Sequence, residues 1–272
     1  MKILFTLCGR AGSKGFKNKN IKELNGVPLV FYSIAVIRQY KEKHPEDTVL
    51  VALNTDSKEL ISTVKKQILL TDIIFVPRKK NLSEDTVAKV DVIRNTWQIL
   101  SDNENFDAVV DLDITSPMRR LCDVENVIHE FQLNDGYDLV FSVVEARRSP
   151  YFNMVEEKAS GFYGKICQSS YMARQQAPKS YELNASIYAY RPAFLQSEIT
   201  EPILDYKCGI SVMPDYLVLD IDSEEDFIMM GYLHHFYCQK DKELEYIYQM
   251  AAAGKERKMN EIYCRASEEY RV

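Results

Sequence analysis

Short apolar runs rich in β-branched residues alternate along the chain with longer stretches of helical period. That alternation is the pattern of parallel βα units. The predicted strands are Lys2–Cys8, Thr48–Leu53, Ile73–Val76, Ala108–Asp113 and Leu139–Val144. Between them the spacing predicts helices over Leu29–Tyr40, Ser57–Leu70, Val87–Leu100 and Asp123–Leu133. Each repeat is roughly 25–35 residues, as right-handed crossovers require. Near Ala146 the regularity ends. Residues 147–183 are polar and aromatic without a sustained period, and a long irregular insertion usually carries function or an interface. Strand character returns at Ser186–Tyr190 and Tyr216–Leu219, and from Gln239 onward the chain is charged and helical in pattern. The expected organisation is one α/β unit over 1–238, interrupted by the 147–183 insertion and followed by a helical tail over 239–272.

The 272 residues carry 34 Lys+Arg against 40 Asp+Glu, a formal charge of −6, and 46% are hydrophobic. This is a globular composition, which argues against disorder, collagen and a disulfide scaffold. A net acidic chain is also a poor general nucleic-acid binder. Six cysteines without a Cys-x-x-Cys pair suit neither a zinc site nor a disulfide framework, and read as reduced thiols in a cytoplasmic protein. The first apolar run is too short to span a membrane and lacks a signal peptide's flanks, so no membrane partner is expected.

The first predicted strand runs into Cys8-Gly9-Arg10-Ala11-Gly12-Ser13-Lys14-Gly15, with Lys17, Lys19, Asn20 and Lys22 just beyond. Glycines let backbone amides approach phosphate oxygens, and Arg and Lys supply countercharge. The loop is not a Walker A sequence, because Lys14 stands where its second glycine belongs. It is not the dinucleotide fingerprint either, because Ala11 stands at that motif's second glycine. A solvated basic turn is the bland alternative, and so dense a basic cluster in an acidic chain favours polyphosphate binding. Downstream, Asp220 and Asp222 stand at the end of a predicted strand. On a strand, residues i and i+2 share a face, so both carboxylates could ligate one hard cation. The same Asp-x-Asp could instead only precede a helix capped by Ser223.

With these residues the chain resembles the acylneuraminate cytidylyltransferases (CMP-sialic acid synthetases). The resemblance rests on five ordered segments over roughly residues 1–235: Arg10–Gly15 with Lys19-Asn20-Ile21; Asn54-Thr55-Asp56-Ser57; Leu112-Asp113-Ile114-Thr115-Ser116-Pro117-Met118-Arg119; Arg174-Gln175 with Asn184–Tyr188; and Asp220–Asp226. It implies a Rossmann-like three-layer nucleotidyltransferase fold with a mainly parallel sheet and a small dimerisation insertion at 147–183. It also implies a homodimer, CTP and a nonulosonic acid as substrates, and Mg2+ (or Mn2+) as cofactor. Arg10, Ala11, Gly12, Ser13, Lys19, Asn20 and Arg78 would then face the nucleotide. Asp113, Thr115, Ser116, Arg174, Gln175 and Asn184 would face the sugar, and Asp220 and Asp222 the metal. Arg10, Lys19 and Asp222 would carry the chemistry, in which the sugar's anomeric hydroxyl attacks the α-phosphorus of CTP and pyrophosphate leaves.

Several of these residues also have structural readings: Asn20 as a helix N-cap, Arg78 as a solvated turn and Arg174 as a surface guanidinium. The chain departs from the resemblance at Asp113, where the sialic-acid branch usually has Gln, and at Ala185, where it has Gly. An ionised Asp113 can only accept hydrogen bonds, so a sugar presenting an extra N-acyl N–H is expected there. The segments Thr6-Leu7-Cys8 and Phe16–Asn20 look more like relatives that activate legionaminic acid. A nucleotide-sugar glycosyltransferase would also use Asp-x-Asp but needs no triphosphate clamp. A non-catalytic nucleotide binder would not need Arg10, Lys19, Asp220 and Asp222 together. His234 and His235 point apart on a predicted helix and are expected to be structural.

Overall fold

A computed structural model describes residues 1–12, 15–84 and 86–254. In chain order the elements are β1 (Lys2–Gly9), β2 (Glu23–Leu24), β3 (Val27–Pro28), α1 (Leu29–Lys43), β4 (Thr48–Thr55), α2 (Lys58–Lys66), β5 (Ile73–Pro77) and α3 (Lys89–Ser101). They continue with β6 (Ala108–Leu112), α4 (Leu121–Leu133), β7 (Leu139–Glu145), β8 (Val155–Glu157), β9 (Tyr163–Lys165), β10 (Tyr181–Tyr190), α5 (Pro192–Gln196), β11 (Cys208–Met213) and α6 (Glu224–Cys238). Residues 242–254 are helical, and the rest of the predicted tail lies outside the described residues.

The main sheet has seven strands in the order β11-β7-β10-β6-β1-β4-β5. β1 is buried along nearly its whole length, because helices cover both faces of such a sheet and its central strands read as continuous apolar runs. β4 and β6 flank β1 in parallel, and β5 follows β4. The connections leave β1 in opposite directions, which opens a crevice at the carboxyl ends of β1 and β6. Every cleft residue that follows β1, β5 or β6 directly (Arg10, Arg78, Asp113) sits at such an end.

One expectation needs correction. The predicted strand Tyr216–Leu219 is not a strand. The edge strand is β11, parallel to β7, and residues Asp215–Leu217 form a 3-10 turn instead. Pro214 stands between the two stretches, lacks the N–H that a ladder needs and ends the strand. Asp220 and Asp222 therefore lie on an irregular segment leading into α6, and not at a strand end. The sheet is mainly parallel, as expected, with β10 antiparallel to both β6 and β7.

β10 also starts earlier than expected, at Tyr181, and its register slips between Leu183 and Tyr188. Ala185 in that bulge has φ 49°, a left-handed conformation that costs a Cβ-bearing residue roughly 1–2 kcal/mol and glycine little. Ala185→Gly should therefore stabilise the fold by about 0.5–1 kcal/mol once the unfolded chain's extra freedom is subtracted. Urea unfolding checks the sign.

His234 on α6 is structural, as expected. It is buried, accepts a hydrogen bond at Nδ1 from Asn25 Nδ2 at 2.8 Å, and meets the Tyr32 and Tyr248 rings edge-on. Burial, with His235 nearby, lowers its pKa from 6.5 to about 4. The unfolded chain therefore takes up this proton first. Its contribution to stability is full above pH 6.5, falls as pH drops towards 4, and amounts to about 3 kcal/mol at 1.36 kcal/mol per unit. His234→Gln should flatten that part of the stability profile, and an unchanged slope would refute the assignment.

Candidate active site

The cleft encloses about 460 Å³ and is lined by residues from five separate stretches of chain. It gathers Arg10, Lys19, Asn20, Arg78, Asp113, Thr115, Asp220 and Asp222 from the predicted set. Ser13 lies outside the described residues. Two glycines give the first loop its shape. Gly12 has φ +71°, and a Cβ on Gly15 would stand 2.7 Å from the backbone oxygen of Asp222. The loop is pinned from the β4 end, where Asp56 Oδ1 accepts a hydrogen bond from Ala11 N at 2.7 Å.

Three loops are tied together at the cleft. Lys19 Nζ donates to the Ile221 carbonyl and to Asp222 Oδ1, both at 2.8 Å. Ile221 N donates to the Thr115 carbonyl at 3.0 Å. Asp222 is largely exposed, so its ion pair with Lys19 is worth at most about 1 kcal/mol and is easily released to a ligand. Ser223 does cap α6 with Asp226, so helix capping and cleft lining coexist in this segment. Asp220 is only half-buried, and burial, Asp222 and Asp113 raise its carboxyl above the ordinary range.

Asn20 is not an N-cap. Asn18, at φ 58°, takes that place before the 3-10 turn Lys19–Ile21, while Asn20 donates to the Arg10 carbonyl at 3.3 Å. Arg78 is not a loose surface turn: its Nε donates to Asn54 Oδ1 at 2.9 Å and its Nη2 to the Asn54 carbonyl at 3.1 Å. Asn54, buried beneath it, is fixed in turn by Thr96.

The sequence reading missed Lys89. Its Nζ lies 2.6 Å from Asp111 Oδ2 and 2.7 Å from Asp113 Oδ2. Asp113 Oδ1 accepts from Thr115 N at 3.0 Å and Thr115 Oγ1 at 2.9 Å. Burial alone would raise the Asp113 carboxyl, but Lys89 and the Thr115 donors outweigh it and hold it at about 2. The protein thus contacts both Asp113 oxygens, and Asp113 still lines the cleft. Burial tends to lower the Lys89 ammonium, yet Asp111 and Asp113 raise it well above the usual lysine range. Arg119 was quoted only as part of a motif. It is buried, donates from Nη2 to the Asp113 and Ser116 carbonyls, and so fixes the turn that presents Asp113 and Thr115.

The remaining sugar candidates lie elsewhere. Ser116 and Asn184 are buried behind the cleft. The Asn184 side chain accepts from Ser142 Oγ at 2.7 Å and donates to the Leu217 carbonyl at 3.2 Å, so its amide is spent on the core. Arg174 and Gln175 line a separate cavity of about 270 Å³ together with Arg148 and Lys179. There Arg174 Nη2 donates to the Ala146 carbonyl at 2.9 Å.

A triphosphate-sized cleft at the carboxyl ends of the strands, with cations at a Gly-rich loop facing an Asp-x-Asp pair, is the setting in which likeness to known proteins becomes informative. The sequence profile described as "Cytidylyltransferase" matches residues 7–263. The chain belongs to the cytidylyltransferase family. It is 35% identical over 236 residues to the CMP-N,N'-diacetyllegionaminic acid synthase of Campylobacter jejuni, covering 85% of this chain and 94% of that one. Over 239 residues it is 34% identical to the post-translational flagellin modification protein B of Campylobacter coli, with the same coverage. A solved CMP:2-keto-3-deoxy-manno-octonic acid synthetase, complexed with CTP, superposes with a TM-score of 0.63 at 14% identity, covering 87% of this chain and all of the other. That last likeness shows the nucleotidyltransferase fold. Among the described residues of this cytidylyltransferase, no helix is long and apolar enough to cross a membrane.

Proposed function

We propose that this cytidylyltransferase couples CTP with a nonulosonic acid to give the CMP-sugar and pyrophosphate. The observation that carries the reading is the cleft itself. It brings Arg10, Lys19 and Arg78 together with Asp220 and Asp222, in a chain similar over most of its length to a CMP-N,N'-diacetyllegionaminic acid synthase. In the proposed reaction the sugar's anomeric oxygen attacks the α-phosphorus, the bond to the bridging oxygen breaks, and pyrophosphate departs with that electron pair. The protein's work is positioning and charge neutralisation. Backbone amides of the Gly-rich loop and the side chains of Arg10 and Lys19 would hold the phosphates, and Arg78, braced by Asn54, would hold the nucleoside end.

Asp220 and Asp222 fit a hard divalent cation, Mg2+ or Mn2+. They are oxygen donors, and Asp220 is held near like charges that a cation would offset. Among the described residues no third His, Cys, Asp or Glu completes a cage, so phosphate oxygens and water would supply the other ligands. A cation bound there neutralises triphosphate charge that otherwise repels an oxygen nucleophile. A CTP-consuming reaction of this kind also fits a cytoplasmic location.

The test is pyrophosphate release from CTP, magnesium and a panel of nonulosonic acids. Release is expected with legionaminic-type acids at least as well as with N-acetylneuraminate, and it should stop with a chelator. UTP should be poorer by about 1–3 kcal/mol, the cost of an unpaired buried polar group. No release with any acid on the panel would overturn the reading.

A homodimer through residues 147–183 belongs to the same proposal. In that segment Phe162, Tyr163 and Met172 are 76%, 72% and 87% exposed, and such residues are enriched at interfaces. Tyr151 and Tyr171, by contrast, meet each other edge-on at 6.5 Å within the segment. Sedimentation should give about twice the 31.5 kDa chain mass, and a monomer at micromolar concentration would exclude the dimer.

A further inference from the structure

We propose that Lys89 selects the acceptor sugar: one N–H of its ammonium binds the carbonyl oxygen of an uncharged N-acyl group, whose alkyl end enters a second cavity beside it. This rests on the nonulosonic acid reading above and names the feature of the sugar that the site distinguishes.

Lys89 opens α3, and its ammonium has three N–H donors. One is donated to Asp113 Oδ2 at 2.7 Å, and the ammonium also forms an ion pair with Asp111 Oδ2 at 2.6 Å. Among the described residues Lys89 has no further hydrogen-bond partner, and it lines the cleft. The Oδ1 atoms accept from the protein, that of Asp111 from Thr6 Oγ1 at 2.7 Å and that of Asp113 from Thr115, while both Oδ2 atoms face the ammonium. The ammonium of the triad therefore keeps donor capacity for a ligand.

Charge decides which acceptor suits it. One ammonium with two carboxylates carries a formal charge of −1, so the triad disfavours a phosphate or a sugar carboxylate. Arg10 and Lys19 are better placed for those anions. A neutral oxygen pays no such repulsion. Shape then separates the neutral candidates. Lys89 also lines a cavity of about 390 Å³ in which Val90, Tyr188, Ile199 and Ile203 form an apolar wall, with Asp91 and Glu201 also on its lining. The Tyr188 ring centroid lies 5.9 Å from Lys89 Nζ. A hydroxyl would use the donor and leave this apolar wall to water, whereas an N-acyl group supplies a carbonyl for Lys89 and an alkyl end for the wall.

The experiment compares kcat/KM, at saturating CTP, for two nonulosonic acids that differ only in bearing an N-acylamino or a hydroxyl group at one carbon. The wild type should prefer the acylated acid by about ten- to a hundredfold, the effect of one buried partner gained or lost. Two variants carry the test. Lys89→Met/Asp113→Asn removes the donor while keeping the formal charge at −1, and Ile199→Trp fills the second cavity without touching the triad. Both should bring the ratio near one with the KM for CTP unchanged. If Lys89→Met/Asp113→Asn does not fold, Ile199→Trp decides alone. An unchanged ratio in the folded variants would overturn the assignment, as would a raised KM for CTP with the preference intact. A wild type that uses both acids equally would overturn it too, leaving the proposed function standing. A wild type that uses no nonulosonic acid at all would remove the function and Lys89's part in it together.

Discussion

Lys89→Met should destabilise the folded chain by about 3 kcal/mol. Removing one partner from a buried ion pair typically costs about 3–5 kcal/mol, because the stranded charge keeps its desolvation penalty and loses its compensation. The low end applies here because a third of the Lys89 side chain is exposed, although Asp111 beneath it is not exposed at all. The cost should fall largely on the two carboxylates, which would then face each other without a cation. Adding Asp113→Asn ought therefore to recover about 1–2 kcal/mol of the loss, a coupling of the size expected for residues in one network. Denaturant unfolding of the two single variants and the double variant forms the cycle. Strictly additive losses would mean that Lys89 and Asp113 are neighbours without being coupled, and the account of the triad would fail.

That triad also marks where the sequence stopped being legible. The strands were readable because sheet positions covered on both faces demand apolar runs: β1, β4, β5, β6 and β7 all coincide with predicted ones. The direction of β10 was not readable, since a strand's own side chains say nothing about which way its neighbours run. Near Pro214 the sequence predicted a strand on the wrong side of the proline, and tertiary pairing with β7 shows that the stretch before it is the strand. In the site, the Gly-rich loop and the Asp-x-Asp pair stood out because their chemistry is local in sequence. Lys89 did not. One lysine near the start of a predicted helix reads as solvated, and its meaning comes from Asp111 and Asp113 at the far end of α3's following strand. Asn184 shows the converse. Its position in a motif suggested a ligand contact, but Ser142 and Leu217, distant in sequence, draw its amide into the core.

Asp220→Asn and Asp222→Asn should each lower the rate of pyrophosphate release by orders of magnitude, about a hundredfold or more, while leaving the fold intact. Each keeps the side chain's shape and removes one anionic ligand, which is the change a divalent cation at this pair would feel most. The two variants should nonetheless differ in the free protein. Asp220 is half-buried near Asp222 and Asp113, so neutralising it relieves repulsion, and stability should rise by about 1 kcal/mol or less, the usual trade of stability against activity at a site. Asp222 is exposed and paired with Lys19, so its loss should leave stability nearly unchanged. Raising the magnesium concentration should partly restore turnover in either variant, because a weakened site fills at higher metal concentration. Near wild-type turnover for both variants at ordinary magnesium would remove the cation from this pair. A loss that magnesium does not relieve, with Asp220→Asn less stable than the wild type, would make the two carboxylates structural supports of the loop that carries them.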